Sequence, residues 1–377
     1  MINPLISIIV PTFNRQDTIE RCLESILLQT YRNYEVIIVD DGSSDRSLEA
    51  ILAYLQLNNI LPLIKDLRSI NYVQIEQIKP GNSLHDFPSA FRCSEASPNW
   101  FILTQNNSGP AIARNTGIHA SHGDYISFLD SDDIWYNYTL ANLARVIAEN
   151  PEISFIAGSA IEHSLPPNQT CSNSSHVSNL QYTLYQNYYS SSSDSLWIGT
   201  PSVCIRRCDL LTAGLFDSHR YNAEDSHLWM KLGITGKFAY IHNPATFAYC
   251  RSYNSAVSDY ISTFRGLMFI LSYESMNKYP GCSKYQACRS RIIAMHIKPF
   301  CLALVKHHYS GLAARLYSGS LRHLVLSKDY LFIVCYPFIY FWHTIAFLSC
   351  ELFSGFCFAF GISNIFKPRV NQLKSFL

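Results

Sequence analysis

Three carboxylates crowd the stretch Phe128-Leu129-Asp130-Ser131-Asp132-Asp133, directly after an apolar run. Clustered like charges repel, and a bound cation relieves that cost. Two aspartates one residue apart, Asp130 and Asp132, can share one hard cation; Mg2+ or Mn2+ in such a place keeps waters and bridges carboxylates to phosphate oxygens. The plain structural alternative is an acidic surface turn with Asp133 capping the next helix. A second acidic stretch, Val39-Asp40-Asp41-Gly42-Ser43-Ser44-Asp45, ends another apolar run. Carboxylates there can accept from base or ribose donors, and Gly42 permits close backbone approach. Here the alternative is a turn with a helix cap at Ser44 or Asp45. In residues 109–115 a small-residue turn leads to Arg114, which can pair with phosphate, with the acidic cluster, or in a purely structural salt bridge. Finally, Glu224 and Asp225 open an amphipathic helix containing Leu228, Trp229 and Leu232. A carboxylate there can take a hydroxyl proton as general base, or simply complement the helix N-terminus.

Bringing these residues to one edge requires a particular set of elements. Residues 5–10 and 35–39 are apolar, β-rich runs, each followed by a segment of helical periodicity at 19–28 and 47–57. This strand–helix alternation predicts a mostly parallel sheet covered by helices, with ligands beyond the carboxyl ends of the strands. The polar clusters 12–15 and 40–45 fall at those ends. Further strands are expected at 72–78, 100–104, 125–129 and 155–161, and a helix at 139–149 that stops before Pro151. Residues 80–99 and 163–195, rich in Ser and Asn, read as loops.

The chain has 377 residues, 48% hydrophobic, and a net charge of +1. Such a chain can bury a large core, and the charge makes no case for nucleic acid as a partner. The twelve cysteines are scattered without a CxxC pair and read as reduced, mostly buried thiols. The N-terminal run lacks the marks of a signal peptide and reads as a strand, so the sequons at Asn168 and Asn173 carry little meaning in a cytosolic chain. Residues 259–327 are helical in pattern. From 330 to 366 the sole charge is Glu351, and residues 330–350 are long enough to span a bilayer although Pro337 and His343 interrupt them. Basic residues on both sides (Arg315, Arg322, His323 and Lys328 before, Lys367, Arg369 and Lys374 after) fit a hairpin bending near Glu351 and Gly355, or a helix lying on an anionic surface. Packing against protein is the third option.

Taken in order, SIIVPTFNR, VDDGSSD, GPAIARNTGI, FLDSDD and AEDSHLW resemble the motifs of glycosyltransferase family 2, inverting enzymes of the GT-A fold, over residues 5–255. The resemblance implies a GT-A catalytic domain at 1–255; the helical pattern and the apolar run that follow predict a helical extension at 256–328 and an apolar, membrane-associated segment at 329–377. The resemblance also implies a nucleotide-diphosphate sugar donor, a divalent metal (Mg2+ or Mn2+) and a glycan or lipid-linked acceptor, and the C-terminal run predicts an enzyme at the cytoplasmic face of a membrane. Thr12 and Phe13 would line the base pocket, with Asp41 reaching the base and Asp40 supporting the same loop. Arg114 would face diphosphate or sugar. Asp130 and Asp132 would form the metal motif, Asp132 as the direct ligand. Asp225 would be the catalytic base, with Glu224 contacting a sugar.

The chain departs from the pattern at several places. The stretch between 57 and 106 is long, as is the 163–195 loop, which bears on acceptor choice or acts as a lid. Arg251 is kept, but no His follows it. Gln286-Ala287-Cys288-Arg289-Ser290 lacks the Trp of the processive Gln-x-x-Arg-Trp motif, which favours transfer of one sugar over polymer synthesis. A nucleotidyltransferase would carry a Gly-rich phosphate loop after the first strand, and VPTFNRQDT has no glycine. The intact pairs Asp130/Asp132 and Glu224/Asp225 argue against a catalytically silent binding module.

Overall fold

A computed structural model describes residues 3–68, 99–163, 179–218, 221–250 and 259–359, with side chains in the last helix described to residue 344. The strand expected at 72–78 and the loop expected at 80–99, apart from Asn99, lie outside the described residues. So do Asn168, Asn173, Arg251, Lys367, Arg369 and Lys374. The chain forms two compact units, one of residues 1–191 with 196–258, the other of residues 192–195 with 259–377.

In the first unit the order is β1 (Ile6–Thr12), α1 (Ile19–Leu27), β2 (Tyr34–Asp40), α2 (Ser47–Leu57), β3 (Leu63–Asp66), β4 (Asn99–Thr104), α3 (Pro110–Ala120) and β5 (Tyr125–Phe128). Then follow β6 (Ile134–Trp135), α4 (Thr139–Glu149), β7 (Ile153–Gly158), β8 (Ala160–His163), β9 (Gln181–Tyr185), β10 (Cys204–Arg206), α5 (Arg207–Thr212), α6 (Glu224–Lys231), β11 (Lys237–Asn243) and β12 (Phe247–Cys250). Nine strands form one sheet in the order β3-β4-β2-β1-β5-β10-β7-β11-β9, and β6-β12-β8 form a second. This is the α/β architecture expected from the sequence, parallel through β3, β4, β2, β1 and β5.

Every residue of β1 is buried because both faces of the sheet are covered, and burial on both faces is why its sequence is a near-continuous apolar run. On one face Ile6, Ile8 and Val10 pack with Ile19, Leu23 and Ile26 of α1. On the other, Ile37 and Val39 of β2 meet Ala113 and Ala120 of α3. The small residues of α3 let it approach closely, and a Cβ on Gly117 would fall 2.5 Å from an Ile9 methyl. Each such large aliphatic side chain contributes roughly 1.5–3 kcal/mol through burial.

Beyond the short or late strands β6, β10, β11 and β12, which were not expected, the structure differs from the sequence reading in three places. The 155–161 run divides into β7 and β8 at Ser159, whose N–H bonds to Ile241 O while β8 leaves for the second sheet. Within the expected 163–195 loop, residues 181–185 form β9, an edge strand antiparallel to β11. The stretch after α2 contains β3, paired in parallel with β4.

The second unit comprises α7 (Tyr260–Ser275), α8 (Gln286–Lys306), α9 (Ser310–Leu326) and α10 (Tyr330–Ala359). Asp259 caps α7 by accepting from Ser262 N at 2.9 Å. Arg289 of α8 is buried; it donates to Glu274 Oε2 at 2.7 Å and to the carbonyls of Pro280 and Cys282. α10 continues through Glu351 and Gly355, so the chain does not bend there as the hairpin alternative required. At 1.5 Å per residue it is about 45 Å long. One face carries Phe332, Tyr336 and Tyr340, with Tyr336 stacked on Tyr317 of α9. The opposite face leaves Leu331, Val334, Phe338, Phe341 and Trp342 at least 61% exposed. Among the described residues no helix is long and apolar enough to cross a membrane. The described cysteines are all free thiols, and Cys22, Cys204, Cys250 and Cys301 are buried.

Candidate active site

Parallel register sets Thr12, Asp40 and Thr104 level at the carboxyl edge of β1, β2 and β4. Thr12 Oγ1 is buried there without a hydrogen-bond partner among the described residues, and Phe13 beyond it is 42% exposed. Asp41 N donates to Thr12 O at 2.8 Å. Both Asp41 carboxylate oxygens are engaged: Oδ1 accepts from Gln105 Nε2 (2.7 Å) and Ser108 N (2.9 Å), Oδ2 from Gly109 N (2.8 Å). Asp41 thus fixes the turn that feeds α3. Asp40 Oδ1 accepts from Ser43 N at 3.3 Å, and no hydrogen bond to its Oδ2 is found among the described residues. Burial raises both carboxyls above the ordinary aspartate range. Gly42 has φ +75°, and a Cβ there would lie 2.8 Å from Asn107 N, so a glycine is required.

The loop after β1 is stitched to the loop after β2. Asn14, in the left-handed region at φ 52°, accepts from Ser44 N and Asp45 N through Oδ1. Arg15 N donates to Ser47 Oγ at 2.6 Å, and Gln16 N to Asp45 Oδ2 at 3.1 Å. Asp45 itself accepts from Ser47 N.

Arg114 of α3 joins the two other acidic segments. Its Nη2 donates to Asp130 Oδ1 at 2.8 Å and its Nη1 to Glu224 Oε1 at 2.9 Å. The guanidinium lies 5.3 Å from the Phe216 ring centroid. Asn115 holds that loop, donating to Phe216 O at 2.8 Å and accepting from Phe216 N at 3.0 Å. Burial opposes the charge of Arg114, but the Asp130 and Glu224 carboxylates outweigh it and hold its pKa above the usual value. Next to Glu224, Asp225 accepts from Ser226 N and Oγ through Oδ1; no bond to its Oδ2 is found among the described residues. Burial raises the pKa of both Glu224 and Asp225, with Arg114 pulling each back.

Asp132 has a different cation. Its Oδ2 lies 3.3 Å from Arg15 Nη2, while Arg21 Nη2 donates to its backbone carbonyl at 2.8 Å. Burial raises the Asp132 carboxyl, and Arg15 opposes the shift. Asp133 does not cap a helix: α4 starts at Thr139, and Asp133 is buried, accepting from Cys250 N of β12 at 2.9 Å. Burial, then the charges of Asp130 and Asp132, push its carboxyl well above the usual range.

Thr12, Phe13, Asp40 and Asp41 therefore cluster at one part of the edge, and Arg114, Asp130, Glu224 and Asp225 at another. Arg15 touches both, its backbone in the first cluster and its side chain on Asp132. Sequence reading gave Arg15 no role of its own and missed Phe216 and Gln105. Arg15 alone was flagged by its position in a polar strand end. The donor set fits a divalent cation: Asp130 and Asp132 supply carboxylate oxygens, and an arginine already faces each one where positive charge is favoured. Among the described residues no group of three His, Cys, Asp or Glu is placed to hold a metal ion.

The profile of Glycosyl transferase family 2 matches residues 7–71 and 92–211. An uncharacterized glycosyltransferase of Haemophilus influenzae is 33% identical over 147 residues, 39% of this chain and 44% of that protein. Glycosyltransferase GlyG of Streptococcus pneumoniae is 31% identical over 145 residues, 38% of this chain and 36% of that protein. The chain thus spans less than half the length of these curated relatives. Among solved structures, S. aureus TarS 1–349 in complex with UDP-GlcNAc matches with TM-score 0.55 at 15% identity, covering 86% of this chain and 91% of that one. The mannosyltransferase PcManGT from Pyrobaculum calidifontis, in complex with GDP-Man and Mn2+, matches with TM-score 0.53 at 17% identity, covering 91% and 84%. At these identities the structural matches speak for the fold. With the ordered motifs gathered on one edge of that fold, the chain belongs to glycosyltransferase family 2.

Proposed function

We propose that the protein is a glycosyltransferase that moves one sugar from a nucleotide-diphosphate sugar to an acceptor hydroxyl with inversion, in cell-surface polysaccharide or glycolipid assembly. The observation that carries this is the Arg114 bridge, which ties the acidic turn at Asp130 to the acidic helix start at Glu224. It puts the donor's leaving group and the acceptor's base on one network. On this reading Phe13 packs on the base and Thr12 Oγ1 faces it. Asp40, with Oδ2 unengaged, accepts from the base, and Asp41 supports the loop, an exchange of the roles the family resemblance implied.

Asp130 and Asp132 would hold Mg2+ or Mn2+, which when bound neutralises charge on the departing diphosphate. Asp225 Oδ2 takes the acceptor's proton, and its raised pKa suits a base working near neutral pH. The hydroxyl attacks the anomeric carbon opposite the diphosphate, so the configuration inverts. Glu224 holds Arg114 and contacts a sugar. Transfer of a single sugar is supported by Arg289, which is enclosed with Glu274 rather than presented to a glycan.

The test is incubation of the full chain with radiolabelled UDP-GlcNAc or GDP-Man, with and without Mn2+. Release of a nucleoside diphosphate supports transfer; release of the sugar 1-phosphate, with a nucleoside triphosphate formed when pyrophosphate is supplied, would mark a nucleotidyltransferase. Asp132→Asn is expected to lose metal-dependent nucleotide binding and keep its fold; wild-type nucleotide affinity in that variant overturns the reading.

We further propose that the acceptor is glycan or lipid-linked and that the enzyme lies peripherally on the cytoplasmic face of a membrane. The outward stripe Leu331, Val334, Phe338, Phe341 and Trp342 supports a helix lying on a lipid surface. Full-length chain should float with anionic liposomes, and Phe338→Ser with Trp342→Ser should weaken flotation. Equal behaviour of the two proteins removes α10 from that role.

A further inference from the structure

We propose that Arg15 is the resident counter-cation of Asp132, and that a divalent metal enters the acidic turn by exchange with the Arg15 guanidinium. The inference rests on the reading of Asp132 as a metal-binding carboxylate.

The two arginines at the turn are held very differently. Arg114 is 7% exposed, spans two carboxylates at 2.8 and 2.9 Å, and lies over Phe216. Releasing it would strand Asp130 and Glu224 beside each other without a counter-charge. Arg15 is 32% exposed and meets one carboxylate, at 3.3 Å. Among the described residues its Nη1 donates only to carbonyls of its own loop, Asn14 O at 3.2 Å and Phe13 O at 3.5 Å. A cation arriving between Asp130 and Asp132 therefore displaces Arg15 and leaves Arg114 in place.

The backbone is built for such an exchange. Residues 14–16 are fixed to residues 43–47 by the Asn14, Arg15 and Gln16 hydrogen bonds. The loop stays still while the side chain swings, so the exchange costs one rotamer change at a partly exposed site. In the metal-free protein Arg15 relieves the repulsion between Asp130 and Asp132. When metal takes its place, the freed guanidinium remains beside the metal and repels it until an anion arrives. A nucleoside diphosphate brings that anion. Metal and nucleotide consequently bind with positive coupling, and Arg15 is the residue that carries part of it.

Mn2+ binding to the full chain, followed by electron paramagnetic resonance with and without UDP or GDP, tests the exchange. Arg15→Gln should bind Mn2+ alone about threefold to tenfold more tightly than wild type, the size of a partly exposed ion pair. The enhancement of Mn2+ binding by nucleotide should shrink by a similar factor, and Arg15→Lys should stay close to wild type. If Arg15→Gln binds Mn2+ no more tightly than wild type while Asp132→Asn loses it, the exchange is wrong and the metal reading stands. If Asp132→Asn binds Mn2+ like wild type, the metal reading fails and takes the exchange with it. Urea unfolding of each variant identifies any that is simply misfolded, in which case the salt dependence of wild type and Arg15→Lys supplies the comparison: nucleotide coupling that rising salt leaves unchanged in both would overturn the exchange.

Discussion

Arg114 and Arg289 are both buried on helices, and each meets a carboxylate at less than 3 Å. Their surroundings differ in one respect. Glu274, the partner of Arg289, is 2% exposed, and the guanidinium also donates to backbone carbonyls of the same helical unit. Asp130 and Glu224, the partners of Arg114, keep 28% and 16% exposure at the open sheet edge. A buried arginine is thus no mark of a site in itself. What separates the two pairs is whether the anions still have a side turned to solvent, where a ligand can reach them.

That contrast can be broken most forcefully at Arg289. Arg289→Ala should cost about 3–5 kcal/mol of stability, because it strands the Glu274 charge in the interior. Arg289→Met with Glu274→Leu should recover most of it, since two apolar groups need no partner. Urea unfolding monitored by helix content measures both. A stable Arg289→Ala protein that had lost sugar transfer would reverse the assignment of the two arginines.

At the open edge the expected loss is in turnover. Asp225→Asn should keep donor binding and lose kcat by at least about 10²-fold; near-normal kcat would remove Asp225 from the base role. The same carboxyl sharpens the comparison through pH. Burial raises Asp132, Asp133, Glu224 and Asp225 in the folded protein. Each therefore contributes stability that is fully present below the ordinary carboxylate range of about 4 and is lost as pH rises through the raised value. Activity runs the opposite way, because the base must be ionised. Melting temperature should fall, and kcat/KM climb, over one shared window above about pH 4. In Asp225→Asn the melting curve should be flatter with pH; an identical pH dependence of melting in variant and wild type would mean that Asp225 titrates as an ordinary surface acid.

Much of the fold could be read from residue types. α2 and α4 end where the periodicity ends, the second before Pro151. β1 and β2 are visible as apolar runs because both their faces are covered. β9 was not legible, since Gln-Tyr-Thr-Leu-Tyr sits among Ser and Asn and takes its structure from pairing with β11. Nor was β10, whose three residues are too few to show a period. At the site, the acidic residues and Arg114 announced themselves by type and by strand-end position. Their partners did not. Of the readings of Arg114, the geometry shows the pairing with the acidic cluster, to Asp130 and Glu224. Asp133 looked like the third member of an acidic cluster, and its bond to Cys250 N depends on a strand far along the chain. Arg15 and Phe216 reach the site through tertiary placement that no local pattern encodes.

Cys204–Arg206 has a consequence for how the chain is made. These residues, as β10, lie antiparallel between β5 and β7 and join the first parallel half of the sheet to the second. On the ribosome, β5 emerges well before them. Until residue 206 has cleared the exit tunnel, the outer side of β5 is a row of unsatisfied N–H and C=O groups on an otherwise finished hydrophobic sheet. Such an edge pairs readily with any neighbouring chain. The nascent protein is therefore most prone to aggregate in the interval between the synthesis of β5 and that of β10, and truncation before residue 204 makes that interval permanent.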